Sequence, residues 1–185
     1  LSPRTVTTYR HMLRSLHTAV RTCREWIVAD GLDGRPGSLA PAIGVTPDAL
    51  RLAAMAPPDP SAAVLARLDT FLVDGVPHMV ELNAESPAGM AYGDALSDLF
   101  LGSPELGLPG GLSPMHVAQL AAQAVLDTWA GTIGKSRVPT VAIVDLRESP
   151  TRPEFLLFQR QFERLGVRCH VADPSDLHFA DGRLW

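Results

Sequence analysis

Between positions 67 and 89 the chain reads Arg67-Leu68-Asp69 and, after a short apolar stretch, Glu81-Leu82-Asn83-Ala84-Glu85-Ser86-Pro87-Ala88-Gly89. Alternate side chains of an extended strand share a face, so Arg67 goes with Asp69 and Glu81 with Asn83. If the two faces coincide, two carboxylates, an amide oxygen and a guanidinium converge. Carboxylate and amide oxygens are the hard donors that Mg²⁺ takes, with water and nucleotide phosphates completing the shell. An adjacent arginine stabilises charge on a transferring phosphoryl group. Polar residues alternating with apolar ones also describe the solvent face of an ordinary hairpin. Spacing alone leaves both readings open.

A hairpin must position these groups. Residues 64–73 and 76–83 are extended runs flanking Asp74-Gly75, a strong two-residue turn signal. A plain turn there pairs Val73 with Val76, and therefore Asp69 with Val80. Paired residues point to one face, so Asp69 would lie opposite to Glu81 and Asn83. A one-residue slip exchanges the faces. Pairing Asp69 with Glu81 and Arg67 with Asn83 therefore requires a bulge or widened turn, expected within residues 74–78. Pro77 suits such a place because it donates nothing to a ladder.

The remaining elements frame the hairpin. Val6, Tyr9, Leu13, Leu16, Val20, Cys23 and Ile27 recur every three or four residues and predict a helix over 3–29. Ser2 is its N-cap, Pro3 its first residue and Gly31 its stop. Residues 31–45 read as loop, and a second helix runs from the Thr46 cap to about Met55, broken by Pro57-Pro58-Asp59-Pro60. A loop over 84–90 leads to a helix near 92–101. The Gly- and Pro-rich residues 102–113 suggest a boundary, dividing the chain into 1–110 and 111–185. Ser113 and Pro114 open a long helix to about Ile133. Residues 138–146 form an apolar run, as in a buried parallel strand. Thr151 and Glu154 make a capping box for a helix to Leu165, with Phe155, Phe158 and Phe162 inward. Gly166 ends it and residues 167–172 form the next strand, completing a β-α-β unit. Asp181-Gly182 marks a small turn. The expected fold is mixed α/β, with a helical N-terminal part, an antiparallel hairpin and a Rossmann-like C-terminal unit.

Several chemistries are disfavoured. Arg147-Glu148-Ser149-Pro150 follows the first parallel strand without glycine, so no dinucleotide fingerprint is present. Walker A, His-Glu-x-x-His and Gly-x-Ser-x-Gly motifs are missing, and the six histidines are scattered. The helix start near Thr151 could hold an anion, though an ordinary capped helix accounts for it. The chain has 185 residues, is 46% hydrophobic and 19% charged, and carries a net charge of −4. That balance excludes wholesale disorder and an electrostatic nucleic-acid surface, and no apolar run is long enough to span a membrane. Cys23 and Cys169 match no disulfide or zinc spacing, which points to a reducing cytoplasm. The start at Leu1 and the strand-like end at Trp185 suggest a piece of a longer protein.

Arg67-x-Asp69, a short hairpin, then Glu81-x-Asn83-x-x-x-Pro87-x-Gly89 resembles the magnesium-binding end of ATP-grasp ligases. The wording from Glu81 to Gly89 is most similar to the circularly permuted branch, which includes glutathionylspermidine synthetase-like proteins. There a metal-binding hairpin precedes a Rossmann-like pre-ATP-grasp domain, as the order here does. Gly166-Val167-Arg168-Cys169-His170-Val171-Ala172-Asp173-Pro174, Leu177 and Asp181-Gly182 resemble that branch too. The resemblance is specific over roughly 65–100 and 138–185. It implies that Asp69, Glu81 and Asn83 hold Mg²⁺, that Arg67 contacts the transferred phosphate, and that Ser86 and Gly89 border substrate or phosphate. ATP would be the second cofactor, and a small-molecule or peptide carboxylate and an amine the substrates. The lysines that hold ATP phosphates in that family have no counterpart, since Lys135, the only lysine, lies outside the motif. They would follow Trp185, so this piece should not turn over alone and should bind Mg²⁺ and ATP weakly or not at all. A non-catalytic binding or interaction domain that keeps the fold is the competing expectation.

Overall fold

The computed structural model describes residues 2–32, 38–55, 64–84, 86–133 and 137–185. Helices and strands are mixed along the chain. It divides into two compact units, Leu1–Glu85 and Ser86–Trp185, so the division falls before the expected boundary at 110/111. The Pro57-Pro58-Asp59-Pro60 break and residues 33–37 of the expected loop lie outside the described residues. Among the described residues no helix is long and apolar enough to cross a membrane.

The first unit opens with α1 (Pro3–Leu32). Ser2 caps it, its Oγ accepting from the Thr5 N–H at 3.1 Å. Gly31 does not stop this helix. A Cβ there would come within 2.7 and 2.9 Å of the Leu50 side chain and 3.3 Å of Ala40, so the glycine serves close packing. Leu50 belongs to α3 (Pro47–Met55), capped by Thr46, whose Oγ1 accepts from the Ala49 N–H at 3.2 Å. Ala40 lies in α2 (Leu39–Ala42), one helical turn within the expected loop. Along α1 the apolar stripe is half-buried except at Leu13 and Cys23, which are exposed.

Strands β1 (Arg67–Val73) and β2 (Val76–Asn83) pair antiparallel across a two-residue turn. Asp74 and Gly75 have φ of 49° and 78°, the left-handed pair that matches strand twist and that glycine adopts without strain. One face of the hairpin meets α1. The Tyr9 hydroxyl lies 2.5 Å from the Thr70 hydroxyl, the Thr5 hydroxyl donates to the Gly75 carbonyl at 3.1 Å, and Leu82 lines a shallow apolar pocket with Leu13 and Val20.

The second unit contains α4 (Met90–Leu101), α5 (Val117–Ile133), β3 (Thr140–Val144), α6 (Arg152–Arg164) and β4 (Arg168–Ala172), with a 3-10 turn at Pro104–Leu106. β3 and β4 pair in parallel with α6 between them, Thr140 opposite Arg168 and Val144 opposite Ala172. Ala122, Phe162, Val167 and Cys169 form the core, with Val141 and Ile143 packed against it. The expected burial of the whole apolar run does not occur. Burial alternates along β3, leaving Val144 41% and Leu146 62% exposed. A closing hairpin of β5 (Phe179–Ala180) and β6 (Arg183–Leu184) turns at Asp181-Gly182 as expected.

Two carboxylates join these helices. Asp94 of α4 is buried, and its oxygens accept from the Val117 and Ala118 N–H groups at 2.9 and 2.8 Å. This supplied acceptor is why α5 begins at Val117 rather than at Pro114, and why α4 belongs with the second unit. Glu154 of α6 is 1% exposed and accepts from Gly89 and Ala91 at the start of α4. Thr151 gives no side-chain cap, so the expected capping box is absent because its acid is committed elsewhere.

Candidate functional site

The hairpin register decides which side chains meet. Arg67 lies opposite Asn83 and Asp69 opposite Glu81, while Thr70 lies opposite Met79. The ladder shifts between Asp69 and Thr70, leaving one extra residue on β2 among Met79, Val80 and Glu81. The bulge is real but lies outside the expected residues 74–78, and the turn itself is regular. Paired residues share a face, so Arg67, Asp69, Glu81 and Asn83 stand together. Their face is the one opposite Thr70 and Leu82, which meet α1.

Geometry within the cluster is close. The Arg67 Nε donates to Asp69 Oδ1 at 2.8 Å and its Nη2 to Oδ2 at 3.0 Å. The Asn83 Nδ2 donates to the same Oδ2 at 3.5 Å. Both side chains of the ion pair stay wet, Arg67 43% and Asp69 36% exposed. The guanidinium, chiefly through its hydrogen bond, holds the Asp69 carboxyl below its ordinary value of 3.8. Asp69 is thus an anion over the whole working range. Glu81 is exposed and Asn83 half-buried. The donor set available to a cation is two carboxylates and the Asn83 carbonyl oxygen, all hard and suited to Mg²⁺. Among the described residues no group of three or more His, Cys, Asp or Glu side chains is placed to hold a metal. A cation here would therefore take part of its shell from water or phosphate.

Ser86 and Gly89 belong to the second unit. Ser86 is exposed with φ of 35°, and Gly89, at φ of 100°, is the N-cap of α4. The Gly89 N–H donates to both Glu154 oxygens, at 2.9 and 2.8 Å, and Ala91 donates to Oε1 at 2.9 Å. That amide is engaged within the fold. Of this pair, Ser86 keeps an exposed hydroxyl-bearing side chain.

A second polar cluster gathers at the C-terminal ends of β3 and β4. Asp173 accepts from the Ser175 hydroxyl at 2.6 Å, from the Ser175 N–H at 2.9 Å and from the Arg147 N–H at 3.0 Å. The Ser175 hydroxyl is the main reason its carboxyl sits below the usual range. Arg147 also pairs with Asp176, and Ser149 bridges Asp145 and Thr151. These groups satisfy one another, as loop-closing groups do. Sequence reasoning passed over Asp94 and assigned Glu154 locally; Asp173-Pro174-Ser175-Asp176, a local capping pattern closed on both sides, was available in the sequence.

No protein-family model, curated protein or solved structure matches the chain.

Proposed function

We propose that the chain is part of an ATP-dependent carboxylate–amine ligase of the circularly permuted ATP-grasp type, with a Rossmann-like pre-ATP-grasp unit in its C-terminal half. The carrying observation is the register that sets Asp69 opposite Glu81 and Arg67 opposite Asn83. In this reading Asp69, Glu81 and Asn83 would hold Mg²⁺, which would supply positive charge beside the nucleotide phosphates. Arg67 meets the phosphoryl group as charge develops on it. The γ-phosphoryl group of ATP would pass to a substrate carboxylate with ADP leaving, and an amine would then attack the acyl phosphate and expel inorganic phosphate to give an amide. Ser86 borders the substrate. Gly89 shapes the same turn through its backbone, its N–H being held by Glu154.

The test measures Mg²⁺-dependent ADP formation in a chain carrying the lysine-bearing nucleotide lobes, with panels of carboxylates and amines. Asp69→Asn, Glu81→Gln and Asn83→Ala should each abolish it while the circular-dichroism spectrum stays unchanged. Near-normal turnover in any two of the three sinks the reading. Residues 1–185 alone should bind ATP weakly or not at all, and submicromolar affinity by calorimetry would contradict the proposal.

A further inference from the structure

Asp69 offers a cation two oxygens, and Arg67 takes both of them in a two-point fork. Such forks are the strongest form of the arginine–carboxylate contact. The third neighbour, Asn83, also presents a donor to Asp69 Oδ2, at 3.5 Å. A divalent cation approaching this face meets a neutralised carboxylate with a positive group at contact distance. Glu81, across the ladder, is left as the accessible acid. For Asp69 to ligate the cation, the guanidinium must leave, and it leaves most readily for another planar or polyoxygen anion. Phosphate is such an anion.

We propose that Arg67 is the specificity-determining residue of this face: it keeps Asp69 closed to a free divalent cation and yields it to a cation already chelated by a polyphosphate, whose oxygens receive the guanidinium. The inference rests on the metal-binding reading above. It adds that metal and phosphate bind with positive coupling, and that the coupling resides in one side chain. Removing Arg67 therefore has opposite effects on the two ligands. Free metal binds more tightly because a competitor and a like charge are gone, and the chelate binds less tightly because its phosphate partner is lost.

The experiment titrates residues 1–185 with Mn²⁺, alone and then with inorganic triphosphate, and follows paramagnetic broadening of the amide signals of residues 67–69 and 81–83. In Arg67→Gln the midpoint for Mn²⁺ alone should fall by about fivefold, the size an exposed ion pair sets. Triphosphate should strengthen Mn²⁺ binding to the unsubstituted chain and do so much less in Arg67→Gln. Equal or weaker Mn²⁺ binding by Arg67→Gln, or equal strengthening by triphosphate in both, overturns the proposal while the metal site stands. Absence of hairpin broadening in either chain at millimolar Mn²⁺, with and without triphosphate, overturns the inference, while the ligase reading stands or falls on turnover of the longer chain. If Arg67→Gln does not fold, Arg67→Lys, which keeps the charge but cannot bridge both oxygens, should still bind Mn²⁺ more tightly than arginine does. Unchanged Mn²⁺ binding there counts against the proposal.

Discussion

The two units use the same chemical group in opposite ways. In the first, the Asp69 carboxylate sits in water and takes its hydrogen bonds from side chains, Arg67 and Asn83. In the second, Glu154 and Asp94 are buried and take theirs from backbone N–H groups at the starts of α4 and α5. A side-chain partner can rotate away and be replaced, and water stands ready to cover the vacancy. A backbone partner is fixed by its helix, and losing it strands a buried charge beside bare amides. Exposed, side-chain-paired carboxylates can exchange ligands; buried, backbone-paired ones hold elements in place.

The comparison predicts a ranking of substitutions. Glu154→Ala should be the most damaging, since it leaves the Gly89 and Ala91 amides without an acceptor in a dry site. A loss of about 3 kcal/mol in urea unfolding is expected. Asp94→Ala removes an N-terminal cap and should cost about 1–2 kcal/mol. The comparison breaks if either costs less than Asp69→Ala, whose urea midpoint should shift least of the three.

Cysteine chemistry sharpens it at smaller cost. Burial, aided by the nearby Glu163 charge, pushes the Cys169 thiol up to about 11, whereas Cys23 is exposed. At pH 8 a disulfide reagent should modify Cys23 promptly and Cys169 only on unfolding. The folded state holds the Cys169 proton more tightly than the unfolded chain, with its ordinary value of 9.0. Its contribution to stability is therefore complete below pH 9 and is lost as pH rises toward 11. Equal modification rates for the two thiols would contradict this.

The smallest effect belongs to Asp69. Its carboxyl is lowered from 3.8 by Arg67, so the pair stabilises above that pH and the gain fades as pH falls through the depressed value. Carboxyl-carbon NMR should show the Asp69 titration moving back toward 3.8 in Arg67→Gln and in high salt. A midpoint indifferent to both would mean that the ion pair is not formed in solution.

Much of the fold was legible where local chemistry governs it. Asp74-Gly75 names its turn, Ser2 and Thr46 name their caps, and β2 spans the expected residues 76–83. Register arithmetic showed that a shared face for Asp69 and Glu81 needs an irregularity, and the bulge is there, but not within the expected residues 74–78. Pro77 looked like the site because it lacks an N–H. Yet Val73 and Val76 close the turn as a hydrogen-bonded pair, so the next pair, Leu72 and Pro77, points its N–H positions outward. A proline fits there without any irregularity. The starts of α4 and α5 were misread for another reason: their acceptors, Glu154 and Asp94, are supplied from 63 and 23–24 residues away. Nothing in a local window carries that information. Glu154 satisfied the capping-box spacing with Thr151, and tertiary structure overrode it.

The position of the bulge also sets a tolerance to lost residues. Deleting Val80 would join Met79 directly to Glu81, and the regular ladder that begins at Val73 and Val76 would run on unbroken through Asp69–Glu81 and Arg67–Asn83. The polar face would survive the deletion. Deleting Leu82 instead would place Asn83 opposite Leu68 and turn its amide toward α1, leaving Asp69 and Glu81 behind. Two deletions only two residues apart thus differ completely in outcome, and a deletion scan across β2 should keep the polar face at Met79 and Val80 and lose it from Glu81 onward.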